Sequence, residues 1–181
     1  MLRMDPKRKW LHIIHEIQPK TIIEIGVAKG RSAISLLSIA FDYHNEITYD
    51  GYDLFDLATD ENDEKEHNGK TVQSVDFVKA RLNRFNGKGS KRLTMNFHRG
   101  FTTDTLIEPV IADFVYIDGG HSYETVKHDY SMVKDSKCVV FDDYHIPSVK
   151  QFVDELTDEH DLRFLDEPGL RHMAKVMLVK K

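Results

Sequence analysis

Short apolar runs alternate with amphipathic stretches from one end of the chain to the other. From Lys9 to Ile17 the apolar residues Trp10, Leu11, Ile13, Ile14 and Ile17 recur at helical spacing and stop before Pro19. That predicts an N-terminal helix within residues 1–20. Thr21 to Ile25 is a short β-branched run and predicts a buried strand. Arg31 to Tyr43 predicts a helix with Ile34, Leu37 and Phe41 on one face, and Glu46 to Tyr52 a second strand. The alternation resumes with a helix over Val72 to Phe85, a strand over Lys91 to His98 and a short helix over Asp104 to Val110. Asp113 to Ile117 is nearly continuous apolar sequence, as in a parallel strand covered on both faces. A helix over Tyr123 to Val133, a strand over Lys137 to Phe141 and a helix over Val149 to Leu156 follow. Leu162 to Leu165 and Met173 to Val179 read as the last two strands, with Pro168-Gly169 in the turn between them.

Regular strand–helix alternation predicts an α/β fold: a Rossmann-like, doubly wound sheet of seven strands, mostly parallel. The final connection is too short for a crossover, so the last strand should run antiparallel. Between the second strand and the next helix the composition changes. Asp56 to Lys70 is polar and strongly acidic, so residues 54–70 are expected to form a surface loop and candidate lid.

Bulk properties narrow the picture further. The chain has 181 residues, which fits one domain over 1–181 with a sizeable core. Its formal net charge of -5 gives no general pull toward phosphate backbones, so nucleic acid is a poor default partner. Its one cysteine, Cys138, lies in an apolar run, which fits a buried structural thiol in a reducing cytoplasm. No stretch approaches the roughly 18 apolar residues of a membrane span, and no signal peptide is visible.

In an open parallel sheet, ligands bind beyond the carboxyl ends of the strands, where strand order reverses. The loop after the first strand reads Glu24-x-Gly26-x-Ala28-x-Gly30. Gly26 permits a sharp turn, Ala28 permits close approach of a ligand, and Gly30 leaves room for the next helix. That helix would present unpaired amides and the positive end of its dipole. Asp53, at the end of the second strand, can accept hydrogen bonds from ribose hydroxyls, with Asp50 ranked below it. The dinucleotide fingerprint wants a third glycine three residues after the second, but Arg31 follows Gly30 and the glycine spacing is four. Glu24 would repel a pyrophosphate but suits a cofactor with an amino group and a sulfonium. Both details resemble the class I methyltransferase motif, acid-x-Gly-x-x-x-Gly.

The fourth and fifth predicted strands end in Tyr116-Ile117-Asp118-Gly119-Gly120-His121 and Phe141-Asp142-Asp143-Tyr144-His145. As sheet neighbours they bring Asp118, Asp142 and Asp143 to one edge. Converging carboxylates repel unless a cation sits among them, and hard oxygen ligands suit Mg²⁺, or alternatively Mn²⁺ or Ca²⁺. Helix capping by Asp142 or Asp143 is the simpler alternative for either one alone. His121 is the first candidate general base and His145 the second.

The segments Tyr116 to Glu124 and Val139 to Tyr144, with Ile23 to Ser32, resemble the small class I O-methyltransferases. The nearest group is the macrolide-sugar enzymes of the macrocin and mycinamicin type; catechol O-methyltransferases are more distant. The resemblance covers roughly Thr21 to Tyr144. It implies S-adenosylmethionine as cofactor, with Glu24, Gly26, Ala28 and Gly30 at its methionine end and Asp53 on its ribose. Gly100 and Phe101, in His98-Arg99-Gly100-Phe101, would lie near adenine. Asp118, Asp142 and Asp143 match the family's metal ligands and His121 its proposed base. A small hydroxylated molecule, sugar-like by resemblance, is the implied acceptor. Substrate-capping elements are few, so a second copy of the chain is a candidate source of the remainder. Two rival readings stay open: a non-catalytic domain that binds the cofactor or a partner, and an NAD-linked oxidoreductase.

Overall fold

The computed structural model describes residues 6–66, 73–84, 91–165 and 175–180. Its strands are β1 (Thr21–Ile25), β2 (Glu46–Asp53), β3 (Arg92–Arg99), β4 (Phe114–Ile117), β5 (Val139–Phe141), β6 (His160–Phe164) and β7 (Val176–Lys180). Its helices are α1 (Pro6–Ile17), α2 (Arg31–Ala40), α3 (Asp60–Lys65), α4 (Val75–Leu82), α5 (Thr102–Thr105), α6 (Tyr123–Val133) and α7 (Pro147–Glu155). The seven strands form one sheet in the order β3-β2-β1-β4-β5-β7-β6. The first five in that order pair in parallel, and β7 runs antiparallel to both β5 and β6. The expected doubly wound, mostly parallel sheet of seven strands is therefore present, with its antiparallel last strand.

Alternation along the strands divides the core into two layers. Ile22, Tyr49, Tyr116 and Val140 face Trp10, Ile13 and Ile14 of α1, Leu36 and Leu37 of α2, and Val78 and Leu82 of α4. Ile23, Ile25, Val115, Ile117 and Phe141 face Val126, Tyr130 and Val133 of α6, and Val149, Phe152 and Val153 of α7. Strand order reverses between β1 and β4, so their loops diverge there and leave a crevice at the carboxyl edge.

Two local expectations need correction. The acidic stretch is not all loop. Thr59 closes a reciprocal capping box with Asn62, which starts α3. The short helix expected over Asp104 to Val110 is instead α5, one turn at Thr102–Thr105. Pro109 disfavours a helical Glu108, so the chain cannot continue as a helix there. Val72, Phe85, Met173 and the Pro168-Gly169 turn lie outside the described residues. Among the described residues, no helix is long and apolar enough to cross a membrane.

Candidate active site

The glycine turn is built by strain relief and by two backbone bonds. Gly26 has φ +90°, and a Cβ there would fall 1.9 Å from the Asp118 carbonyl oxygen, so only glycine fits. Its N–H donates to the Tyr52 carbonyl at 2.8 Å, and the Asp118 N–H donates to the Ile25 carbonyl at 2.7 Å. The loops after β1, β2 and β4 are thereby tied together. Gly30, at φ +66°, precedes α2, and a Cβ there would stand 3.2 Å from Val78 of α4. Gly30 therefore serves helix packing.

Asp53 locks the same loop from the end of β2. One carboxylate oxygen accepts from the Val27 and Ala28 N–H groups, each at 2.8 Å, and the other from the Phe55 N–H at 2.5 Å. A carboxylate offers about four lone-pair sites, so acceptor capacity remains for a ligand hydroxyl. Asp50 turns elsewhere, toward Asn96 and His98 on β3.

A cavity with about 900 Å³ of space, including its open mouth, lies over this edge. Gly26, Ala28, Asp53, Gly100, Phe101 and Asp118 line it, and so do Asn62 and Glu66 from the acidic segment. Glu24 and Gly30 are not in its wall. Glu24 is buried beneath the sheet edge, where it accepts a hydrogen bond from the Tyr49 hydroxyl. Burial first, then the Glu24 charge, holds the Tyr49 phenol well above its ordinary range.

The carboxylates lining the cavity are Asp53, Glu66, Asp118 and Asp129, and among the described lining residues there is no Lys, Arg or His. Asp129 is fully buried, and burial pushes its carboxyl up to about 7. The Glu66 carboxylate ties the acidic segment to the start of α6. It accepts from the Ser122 N–H at 2.9 Å and the Thr125 hydroxyl at 3.0 Å, at the N-terminus of α6.

Beside the cavity, Asp118, His121 and Asp143 each offer one ligand atom, all within 4.8 Å of one another. His121 is buried, with Nε2 3.0 Å from an Asp143 carboxylate oxygen. Its carbonyl accepts from the Ser148 hydroxyl at 2.5 Å, which pins the loop. Asp143 sits at φ +53°, a conformation aspartate tolerates better than most side chains and one that aims its carboxylate back at His121. The expected trio was Asp118, Asp142 and Asp143. Instead, Asp142 turns its carboxylate to the other face of the sheet edge, where the Lys175 ammonium and the Tyr116 hydroxyl donate to it. Among the described residues, the side chains grouped closely enough to share one ion are Asp118, His121 and Asp143, and Asp142 is not among them. His145 is exposed and outside the cavity wall, with Nδ1 3.8 Å from an Asp143 carboxylate oxygen.

Asp129, Glu66 and Lys175 were not singled out from the sequence. Asp129 did leave a signal, because it interrupts the apolar stripe Val126, Tyr130, Val133 of α6. Glu66 and Lys175 act through contacts distant in sequence and left none.

A family model described as a methyltransferase domain matches residues 23–144. Among solved structures, the chain resembles an O-methyltransferase from Bacillus cereus in complex with SAH, at 14% identity and a TM-score of 0.63, covering 100% of this chain and 83% of that one. It also resembles the O-methyltransferase TomG from Streptomyces achromogenes, in complex with SAM, at 15% identity and a TM-score of 0.62, covering 100% and 82%. The spermidine synthase of Thermotoga maritima matches at 13% identity and a TM-score of 0.54, over 96% of this chain and 58% of that one. The fold thus extends beyond methyl transfer, and the structural likeness speaks to fold. No curated protein matches by sequence.

Proposed function

The chain belongs to the methyltransferase-domain family, and from that premise we propose that it moves a methyl group from S-adenosylmethionine to a hydroxyl of a small, sugar-like molecule with the help of a divalent cation. The observation that carries the reading is the charge of the cavity. Its described wall holds four carboxylates and no basic side chain. Such a wall attracts a ligand bearing a sulfonium and an ammonium, and it repels the pyrophosphate of a dinucleotide. The NAD-linked reading loses its footing on this point.

Residue roles follow from position. Gly26 and Ala28 let the backbone approach the ligand closely, and Asp53 takes ribose hydroxyls with its remaining acceptor capacity. Gly100 and Phe101 face the base. Asp118, His121 and Asp143 suit Mg²⁺ or Mn²⁺ in charge and donor type: two carboxylates and one imidazole, oriented by the Asp143 backbone and the Ser148 contact. When bound, such a cation lowers the pKa of an acceptor hydroxyl while S-adenosylmethionine supplies an electrophilic methyl. With His121 assigned to the ligand trio, the exposed His145, 3.8 Å from Asp143, is left as the proton acceptor. The scaffold's main service is to hold the reacting atoms at about 3 Å. A sugar hydroxyl is favoured over a catechol because the segments 116–124 and 139–144 resemble macrolide-sugar enzymes more closely.

Titration calorimetry with S-adenosylmethionine, with Mn²⁺ and after chelation, tests the two sites separately. Methyl transfer from labelled cofactor to a panel of sugars and catechols then tests the acceptor. Failure to bind S-adenosylmethionine, or preferential binding of NADH, sinks the proposal. Cofactor binding with no cation site and no transfer leaves the non-catalytic alternative standing.

A further inference from the structure

A second cavity opens at the opposite, amino edge of the sheet, with about 680 Å³ of space including its mouth. The topology creates it. α1 ends at Ile17 and α6 at Val133, so both helices release their chains at this edge. β7 runs antiparallel to β5, and β6 antiparallel to β7, which returns Val179 and His160 to the same edge. The cavity wraps the start of β5. Cys138 and Met177 line it from the α1 side of the sheet, and Val139 and Leu178 from the α6 side. None of the methyl-transfer roles above falls on these residues.

Its floor is aliphatic, but its charged groups are mostly basic. Lys134 and Lys137, both exposed, stand in the wall. Lys137 gives one donor to the Ile17 carbonyl at the end of α1, at 3.1 Å, and an ammonium has three. The one acid in the described wall, Glu16, is paired with Arg163 at 2.7 Å. Asp135 and Glu159 act on the Tyr130 phenol from outside the wall. His160 decides the matter. It lines the cavity, is only 7% exposed, and its Nδ1 has no hydrogen-bond partner among the described residues. Buried polar groups without partners are unusual and cost free energy. An imidazole can carry its proton on Nδ1, so an acceptor oxygen brought to it completes the bond.

We infer that this cavity binds a small organic acid, with an aliphatic body against Met177 and Leu178 and a carboxylate that His160 bonds and the two lysines attract. Its size falls in the ordinary range for small-molecule sites. Inorganic phosphate would leave the aliphatic floor unused, and a neutral amphiphile would leave the lysines unanswered. The acidic wall of the first cavity repels the same ligand, so the two sites sort their occupants by charge. The inference does not rest on the S-adenosylmethionine reading.

Octanoate and its neutral isostere octanamide are the probes. Calorimetry compares them on the wild-type protein, on His160→Phe and on Lys134→Glu, and the methyl resonance of Met177 locates the site. The wild type should bind octanoate about tenfold tighter than octanamide, as for a hydrogen bond to a charged group. Octanoate should move the Met177 resonance, and S-adenosylhomocysteine should not displace it. His160→Phe keeps the bulk of the ring and should weaken octanoate about tenfold. Lys134→Glu, at the surface, should weaken octanoate about three- to tenfold and leave octanamide within about twofold. Equal affinity for the two probes, a Met177 resonance that stays still, displacement by S-adenosylhomocysteine, or no octanoate binding at about 5 mM each overturns the inference. If His160→Phe does not fold, the two probes on the wild type and on Lys134→Glu decide it.

Discussion

The Lys175 ammonium meets the Asp142 carboxylate just beyond the carboxyl end of β5, with the Tyr116 hydroxyl 2.8 Å from the same nitrogen. Lys175 is buried and also lies over the rings of Trp10 and Tyr116, at 5.6 and 5.1 Å from their centroids. Removing one member of such a pair leaves an uncompensated buried charge. Lys175→Met is therefore expected to lower unfolding free energy by about 3–5 kcal/mol, measured by denaturant titration. A loss under about 1 kcal/mol would show that water already reaches the pair.

The same pairing separates Asp142 from its neighbour. Asp143→Asn should abolish Mn²⁺ binding and leave S-adenosylhomocysteine binding within about threefold, because Asp143 belongs to the proposed ligand trio and not to the cavity wall. Asp142→Asn should keep the Mn²⁺ site and lose stability. Paramagnetic resonance of bound Mn²⁺ reads the first effect and thermal melting the second. The opposite pattern, with the metal site lost in Asp142→Asn, would return Asp142 to the ligand set.

These two aspartates show where reading the sequence stops. Period and punctuation were enough to place every strand of the sheet and the glycine turn, since a β-branched run followed by glycine has few other meanings. Neighbouring strand ends also put Asp118, Asp142 and Asp143 at one edge. Which way each carboxylate turns was not legible, because successive residues leave a strand on opposite faces and a one-residue difference sends Asp142 to Lys175. Lys175 is distant in sequence, so nothing near Asp142 announces it. The acidic segment was legible as a departure from the pattern, but the role of Glu66 depends on Ser122, 56 residues away.

Glu66 accepts at the N-terminus of α6 from the residue directly after His121, so it couples the acidic segment to the loop that carries Asp118 and His121. Glu66→Ala removes charge-assisted hydrogen bonds and should weaken S-adenosylhomocysteine binding by about ten- to a hundredfold. Amide exchange at residues 59–66 should accelerate, since α3 loses its anchor. Unchanged exchange would mean that the capping box of Thr59 and Asn62 holds the segment alone. Gly120→Ala should mimic the effect, because a Cβ there would stand 2.5 Å from the Glu66 carboxylate.

Asp129 makes stability depend on pH with a definite sign. Its folded carboxyl titrates near 7 against an ordinary value of 3.8, and burial is the main cause. Between those values the folded state holds a proton that the unfolded chain has released. Stability therefore falls as pH rises from about 4 to about 7, and is flat above that. The full effect is of order 4 kcal/mol at about 1.4 kcal/mol for each pKa step. Asp129→Asn carries no proton to lose. Its melting temperature should match that of the wild type near pH 4, where both side chains are neutral, and exceed it by several degrees at pH 8. Parallel melting curves for the two proteins from pH 4 to pH 8 would show instead that water relieves Asp129 in solution, and the carboxyl would then titrate like an exposed one.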